Sequence, residues 1–390
     1  MKILFATESY YPNIDGGAVA QHRLVLELIK NGHQVGVIAP NTAFNNTMED
    51  DQGSTIFRTR GVKLPSYMAG KYHTSIIPLL HIQKIIRNFK PDIINVCSPY
   101  PNGVCAMICA KKYNIPLVGS IHMLPENMLS PFMGKPHYET LQQWSWKYLV
   151  TFYNWTNWAT VPSQTGADMY IKRGLTTPIT PISNGVNTTM FTPTNKGEYL
   201  GEKLHLPSKH IILYTGRMSA EKNVDVIIKA IPEVINNFDC HFLFCGSGGN
   251  YKQQMMDLTK TLHVEDHVTF IDFLDWEDYP NIYTIADVFV MPAESELQSI
   301  VTLEAIASGV PPVVVNKGAV PELASAGNGF VFEPQDSTQL AHRLVTILTD
   351  KKLRDSMKKK SLQLSTQHAM STIGLHYEQV YENLLQQHNK

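Results

Sequence analysis

D-V-F-V-M-P-A-E-S-E-L-Q-S-I-V-T-L-E-A-I-A-S-G-V-P-P-V-V-V occupies positions Asp287 to Val315. An apolar run ending at Met291 reads as a buried strand, and a polar loop with Glu294 and Glu296 follows it. Ser299 then stands as an N-cap before the periodic stretch Ile300–Ser308, which Gly309 stops. A second apolar run, Val313–Val315, completes a strand–helix–strand unit of a parallel α/β sheet. The first turn of such a helix offers unpaired amides and the positive end of the dipole, an anion site. Glu304, four residues after Ile300, shares a side with those amides. One ligand can therefore meet the helix start through phosphates and Glu304 through a hydroxyl, with Glu296 meeting a different part. Carboxylates at this spacing are also common as a solvated loop acid and a helix acid, so the rest of the chain must decide.

Outward from this stretch the same alternation covers the chain. Strand-like runs stand at Ile3–Ala6, Val35–Ala39, Thr55–Arg58, Ile93–Cys97, Leu117–Ile121 and Ala159–Val161. A second series stands at Ile211–Thr215, His241–Cys245, Val268–Ile271, Val288–Met291 and Val313–Val315. Helical periodicity separates them: Val19–Ile29 before Gly32, Val224–Asn236 with Pro232 as a kink, Tyr251–Leu262, and a final helix over Met370–Gln387. A chain of 390 residues exceeds what one core usually serves. The fold class expected is α/β, two Rossmann-like doubly wound domains: 1–183, then 184–369, with 370–390 packing back on the first. Ligands of open parallel sheets bind beyond the carboxyl ends of the strands, so a cleft between the two domains is the expected site.

Composition narrows the class. With 33 basic and 34 acidic residues there is no basic excess to make nucleic acid the main partner. Cys97, Cys105, Cys109, Cys240 and Cys245 form no C-x-x-C pair and read as reduced, buried thiols of a cytoplasmic protein. Glu8 interrupts the apolar N-terminus early, which makes it a first strand rather than a signal peptide. No stretch reaches the ~20 apolar residues of a transmembrane helix.

The second chemical stretch is Gly216-Arg217-Met218-Ser219-Ala220-Glu221-Lys222-Asn223, directly after a strand. Gly216 permits close backbone approach, Arg217 and Lys222 bring two cations, and Ser219 is placed to cap the next helix. Two cations near a helix-start anion site suit a diphosphate leaving group. G-R-x-x-x-E-K-N followed by E-x7-E-A-x-A-S-G-x-P resembles the retaining glycosyltransferases of family 4 (group 1), which have the GT-B fold. The resemblance covers nearly the whole chain. Tyr11-Pro12 with Gly16-Gly17 is similar to the family's glycine-rich loop, and Ile182-Ser183-Asn184-Gly185-Val186 to its I-x-N-G-V motif. Phe244-Cys245-Gly246-Ser247-Gly248 is similar to its G-x-G turn, and Ala286-Asp287-Val288 to the A-D-V before the signature.

The resemblance implies a role for each matching residue. Glu304 would hold the ribose hydroxyls, and Arg217 and Lys222 the diphosphate, aided by Gly216 and the amides of Ser299, Ile300 and Val301. Glu296 would contact the donor sugar, and Gly16 and Gly17 would let the backbone approach phosphates or acceptor. Phe273 and Leu274 follow a strand where the family seats the base. His122, ending a strand in Gly119-Ser120-Ile121-His122, resembles the histidine beside the transferred sugar, and also fits a purely structural histidine. His122, Arg217, Lys222 and Glu296 are thus the catalytic candidates. Pro125-Glu126-Asn127 would shape a loop on the acceptor side. Many relatives carry an aromatic–glycine pair where Leu297-Gln298-Ser299 stands here, so the donor sugar does not carry over from them. The reaction expected is hexosyl transfer with retention from a nucleotide sugar, UDP-sugar first and GDP-sugar next. No metal and no other cofactor is expected, since no D-x-D ends a strand.

The acceptor stays open between a sugar, a small molecule and a lipid. Trp144, Trp146, Trp155 and Trp158 cluster with Tyr148, Phe152 and Tyr153. They fit either an aromatic helix packed inside the N-terminal domain or a peripheral contact with the inner face of a membrane. The stretch Lys63–Lys90 mixes Lys63, Lys71, Lys84, Arg87 and Lys90 with Ile76-Ile77, Leu79-Leu80 and Ile85-Ile86, a basic amphipathic candidate. A nicotinamide enzyme would need G-x-G-x-x-G after the first strand, which residues 7–17 do not supply. A GT-B phosphorylase, an epimerase and a non-catalytic partner subunit share the expected fold and stand as rivals to the transferase.

Overall fold

The computed structural model describes residues 1–64, 72–129, 134–207 and 209–388. The chain forms two α/β units, one of Met1–Gly185 with Met370–Lys390, the other of Val186–Ala369.

In the first unit, β1 (Lys2–Ala6), β2 (Gln34–Pro40), β3 (Thr47–Asp51), β4 (Ser54–Thr59), β7 (Ile93–Val96), β8 (Leu117–Ser120), β9 (Trp158–Val161) and β10 (Ile179–Pro181) form one sheet. Its order is β10-β9-β8-β7-β1-β2-β4-β3, parallel throughout except for the β3–β4 hairpin. A small antiparallel ribbon pairs β5 (Gly61–Lys63) with β6 (His73–Ser75). Central strands such as Ile93–Val96 are buried along their whole length, as parallel strands covered on both faces must be. Edge strand Thr47–Asp51 is polar but for Met48 and exposed except at its last residue, so hydrophobic pattern gives no sign of it. The expected helix Val19–Ile29 begins earlier, at Gly16, because Asp15 caps it by accepting from the Ala18 amide. It ends at Lys30, with Gly32 at φ 85° just beyond. Pro125–Met128 is a short helix, not a loop.

The helix Met370–His388 belongs to this first unit. Ile373, Tyr377, Val380, Tyr381 and Leu384 are buried in one cluster with Phe5, Leu24, Leu28 and Val118. The Tyr381 hydroxyl accepts from Asn95 Nδ2 at 2.7 Å, so a buried amide on β7 is satisfied by the far end of the chain.

The second unit holds β11 (His210–Thr215), β12 (Cys240–Cys245), β13 (Val268–Ile271), β14 (Val288–Met291), β15 (Pro312–Val315) and β16 (Phe330–Phe332). Their order is β13-β12-β11-β14-β15-β16, every neighbour parallel. Strand order reverses between β11 and β14, so the loops after these two strands open side by side. Pro232 lies inside the helix Val224–Asn237. Among the described residues no helix is long and apolar enough to cross a membrane.

Candidate active site

The two loops beside the strand-order reversal carry most of the residues singled out above. After β11, Gly216 adopts φ 137°, and the chain runs through a short 3-10 turn, Ala220–Lys222. A Cβ on neighbouring Gly246 would stand 1.9 Å from the Gly216 carbonyl, so only glycine lets the loops after β11 and β12 lie this close. Ser219 does not cap through its side chain. Its hydroxyl donates to Glu221 Oε1 at 2.7 Å, because the residue that opens the next helix is Asn223, in the left-handed conformation. Asn223 Nδ2 reaches Glu294 Oε1 at 3.2 Å and fastens this loop to the one after β14.

Lys222 and Glu296 form a direct ion pair, each side chain only 16% exposed. Arg217 is 63% exposed and loosely tied to Glu221, its Nη2 3.4 Å from Oε1. The loop bearing Glu296 is supported from below by Gly318 at φ 63°, where a Cβ would come 2.8 Å from the Glu294 carbonyl and 3.2 Å from that of Glu296. The Ala319 amide donates to the Glu296 carbonyl.

Ser299 caps the helix Ile300–Ala307: its hydroxyl accepts from the Thr302 amide at 3.3 Å and the Thr302 hydroxyl at 2.8 Å. The amides of Ile300 and Val301 belong to the first turn, where the helix carries its partial positive charge. Glu304, 2% exposed, lies one turn on. Its Oε2 accepts from the Tyr279 hydroxyl at 2.8 Å and the Tyr283 hydroxyl at 2.9 Å, and Tyr283 also meets Thr215 Oγ1 at 3.0 Å. Burial, with the Glu304 charge beside them, raises both phenols far above their ordinary range, so they act as donors throughout. Sequence reasoning missed this pair; the i, i+4 spacing of two tyrosines just before the A-D-V strand was the available signal. Phe273 is 56% exposed and Leu274 half-buried against the core. Trp276, also overlooked, is 59% exposed and stacks on Tyr279 with an interplanar angle of 13°.

In the first unit, Gly16 and Gly17 open the helix after β1, and a Cβ on Gly17 would stand 3.6 Å from the Cβ of His122. The glycine pair and the histidine are therefore neighbours. Close packing around the His122 ring drives its pKa down to about 4, against the pull of Asn184 and Asp15, so the imidazole is neutral at pH 7. Beyond β1, Glu8 lies buried, accepting from the Asn102 amide at 2.7 Å and the Ser75 amide at 3.2 Å. Desolvation outweighs these bonds and lifts its pKa to about 7. Glu8 borders a cavity of about 410 Å³ shared with Tyr11, Asn13, Asn41, Arg58 and His73.

Two units of parallel sheet under helices, the second with cations and carboxylates on loops at its strand-order reversal, define a GT-B glycosyltransferase. The chain belongs to the family 4 type of these enzymes: residues 14–190 match Glycosyltransferase Family 4 and residues 196–363 match Glycosyl transferases group 1. It is 27% identical over 345 residues to a GDP-mannose-dependent alpha-mannosyltransferase of Corynebacterium glutamicum, covering 86% of this chain and 78% of that one. It is 26% identical over 360 residues to the sulfoquinovosyl transferase of Arabidopsis thaliana, covering 90% of this chain and 67% of that one. The sucrose-phosphate synthase of Thermosynechococcus elongatus shares the fold, with a TM-score of 0.81 at 18% identity over 98% of this chain and 99% of that one.

Proposed function

We propose that the chain moves a hexosyl group from a nucleoside-diphosphate sugar to an acceptor hydroxyl, with retention of anomeric configuration and without a metal. The observation that carries this reading is the placing of Arg217, the Lys222–Glu296 pair, the Ser299-capped helix and Glu304 on adjoining loops of one unit. Arg217, Lys222 and the first-turn amides give a diphosphate leaving group the positive environment its developing charge requires. Glu296, already tied to Lys222, is placed to take a donor-sugar hydroxyl while its partner turns to phosphate. Glu304, oriented by two tyrosines, reads the ribose, and the exposed rings of Phe273 and Trp276 offer the base a face to stack on.

The acceptor binds on the first unit, beside Gly17 and His122 and in the cavity bordered by Glu8. His122, neutral at pH 7, positions the transferred sugar rather than charging it. The leaving phosphate oxygen takes the acceptor proton, so the protein's contribution is positioning and charge stabilisation. The working place of such an enzyme is the cytoplasm, extending to the inner membrane face if the acceptor is a lipid.

A thermal-shift series with UDP-, GDP- and ADP-sugars tests the donor half, and the Corynebacterium relative makes GDP-mannose an essential member of it. Stabilisation by one of them, lost in Arg217→Ala and Lys222→Ala, supports the reading; no shift with any sinks it. NMR of the product decides the stereochemistry, an inverted anomer removing the retaining mechanism. Activity unchanged by EDTA is expected.

A further inference from the structure

The helices Leu79–Phe89, Pro101–Tyr113 and Tyr138–Tyr153 lie on the first unit as neighbours. A Cβ on Gly103 would stand 3.5 Å from the Phe152 ring, and the Tyr148 hydroxyl donates to the Pro99 carbonyl. The inner sides are ordinary core: Ile82, Ile85 and Ile86 on the first, Trp146, Leu149 and Phe152 on the third. The candidate Lys63–Lys90 therefore divides. Its Ile85-Ile86 is buried, Leu80 is 80% exposed, and Lys71 lies outside the described residues.

The outer sides combine two properties that water alone does not favour together. Large apolar groups are open: Leu80 at 80%, Trp144 at 67%, Trp155 at 54%, Tyr148 at 49% and Ile108 at 45% exposure. The ionised side chains of these helices are Lys84, Arg87, Lys111, Lys112 and Lys147, against a single acid, Glu139. Cations and rings are interleaved, with Lys111 Nζ 4.6 Å from the centre of Trp155 and Lys147 Nζ 5.9 Å from that of Trp144. Beside them, Trp146, Lys147 and Arg173 border a cavity of about 550 Å³ whose lining includes no carboxylate among the described residues. There the Arg173 guanidinium lies 3.9 Å over the Trp146 ring.

We propose that this three-helix face docks on an anionic phospholipid surface. Its lysines and arginines meet headgroup phosphates, and Trp144, Tyr148 and Trp155 enter the interfacial layer, where aromatic rings with a polar edge are favoured. A second copy of the chain fits the face poorly, since a two-fold contact would set five cations against five. Nucleic acid has no use for exposed Leu80 and Ile108. The inference does not depend on the donor chemistry above.

Co-sedimentation of the full chain with vesicles of phosphatidylcholine alone, and of phosphatidylcholine with phosphatidylglycerol, tests it. The chain is expected to pellet with the anionic vesicles only, less as salt is raised. Lys111→Ala with Lys147→Ala should weaken apparent binding about thirtyfold, at ~1 kcal/mol per cation and ~1.4 kcal/mol per tenfold. Trp144→Ala with Trp155→Ala should weaken it and remove the blue shift of tryptophan fluorescence, with the melting temperature unchanged in both variants. Failure to pellet, equal pelleting with neutral vesicles, or variants that pellet like the parent would overturn it. So would dimerisation sensitive to Trp144→Ala without vesicle binding, which assigns the face to self-association. Inorganic phosphate that stabilises the protein through Arg173 while vesicles leave it in solution would assign the cavity to a free anion.

Discussion

Lys222 and Glu296, 74 positions apart in sequence, pair directly across the loops that follow β11 and β14. The pair lies where strand order turns back in the second sheet, so fold topology brings the two charges together. Removing either partner leaves a partly buried charge uncompensated. Lys222→Ala and Glu296→Ala are each expected to lower kcat/KM about a hundredfold or more. The double variant should lose less than the product of the two, with a coupling of about 0.5–3 kcal/mol. Steady-state kinetics of the four proteins gives the answer, and strict additivity would show that the pair does not act as a unit.

Arg217 behaves differently because its side chain is exposed and loosely paired with Glu221. Arg217→Ala should change unfolding free energy by less than ~0.5 kcal/mol. The same change should remove most of the nucleotide-sugar affinity. Calorimetric titration beside urea denaturation separates these effects, and equal losses in both would place Arg217 in the scaffold.

Tyr283→Phe deletes a hydroxyl held between Glu304 and Thr215. A hydrogen bond to a buried carboxylate contributes about 1.5–3 kcal/mol, so a stability loss of that size is expected. Nucleotide affinity should fall as well, since Glu304 loses one of the two tyrosine hydroxyls that orient it. Full affinity in a destabilised Tyr283→Phe would mean that the tyrosines serve folding alone.

Gly318→Ala forces a Cβ toward the Glu294 carbonyl in a left-handed conformation, at ~1–2 kcal/mol. Because the displaced backbone carries Glu296, kcat should fall further than in a core variant of matched stability. A drop no larger than in that control would separate the loop from catalysis.

Stability against pH carries two opposed contributions. Burial holds His122, His241 and His368 down to about 4, so between pH 4 and 6.5 the unfolded chain takes up protons that the folded chain refuses, and stability rises with pH. Glu8, raised from 4.5 to about 7, keeps a proton that the unfolded chain has lost, so its contribution is full below pH 4.5 and fades as pH climbs through 7. Glu8→Gln removes the opposing member. Urea midpoints should then rise more steeply between pH 5 and 6.5 than in the parent, and an unchanged slope would contradict the raised pKa.

Which parts of this were legible in sequence follows from physical cause. Buried parallel strands such as Cys240–Cys245 announce themselves because both faces need apolar residues. Thr47–Asp51 does not, since an exposed edge strand is held by backbone bonds that leave no hydrophobic pattern. Ser299 was readable as a cap because capping is local. The tyrosine clamp on Glu304 and the pairing of Lys222 with Glu296 depend on which loops the sheet brings side by side. The division of Ile85-Ile86 from Leu80 likewise depends on which side of a helix meets the sheet.

The helix Met370–His388 has a further consequence for how the protein is made. The N-terminal sheet leaves the ribosome first, yet the residues that cover Phe5, Leu24 and Val118, and the hydroxyl that satisfies Asn95, are synthesised only after all of 186–369. The unit that begins the chain must therefore wait, part of its core uncovered, while the contiguous unit after it folds from start to finish. A fragment ending near residue 185 would hold that waiting state permanently, whereas one spanning 186–369 has every element of its own sheet.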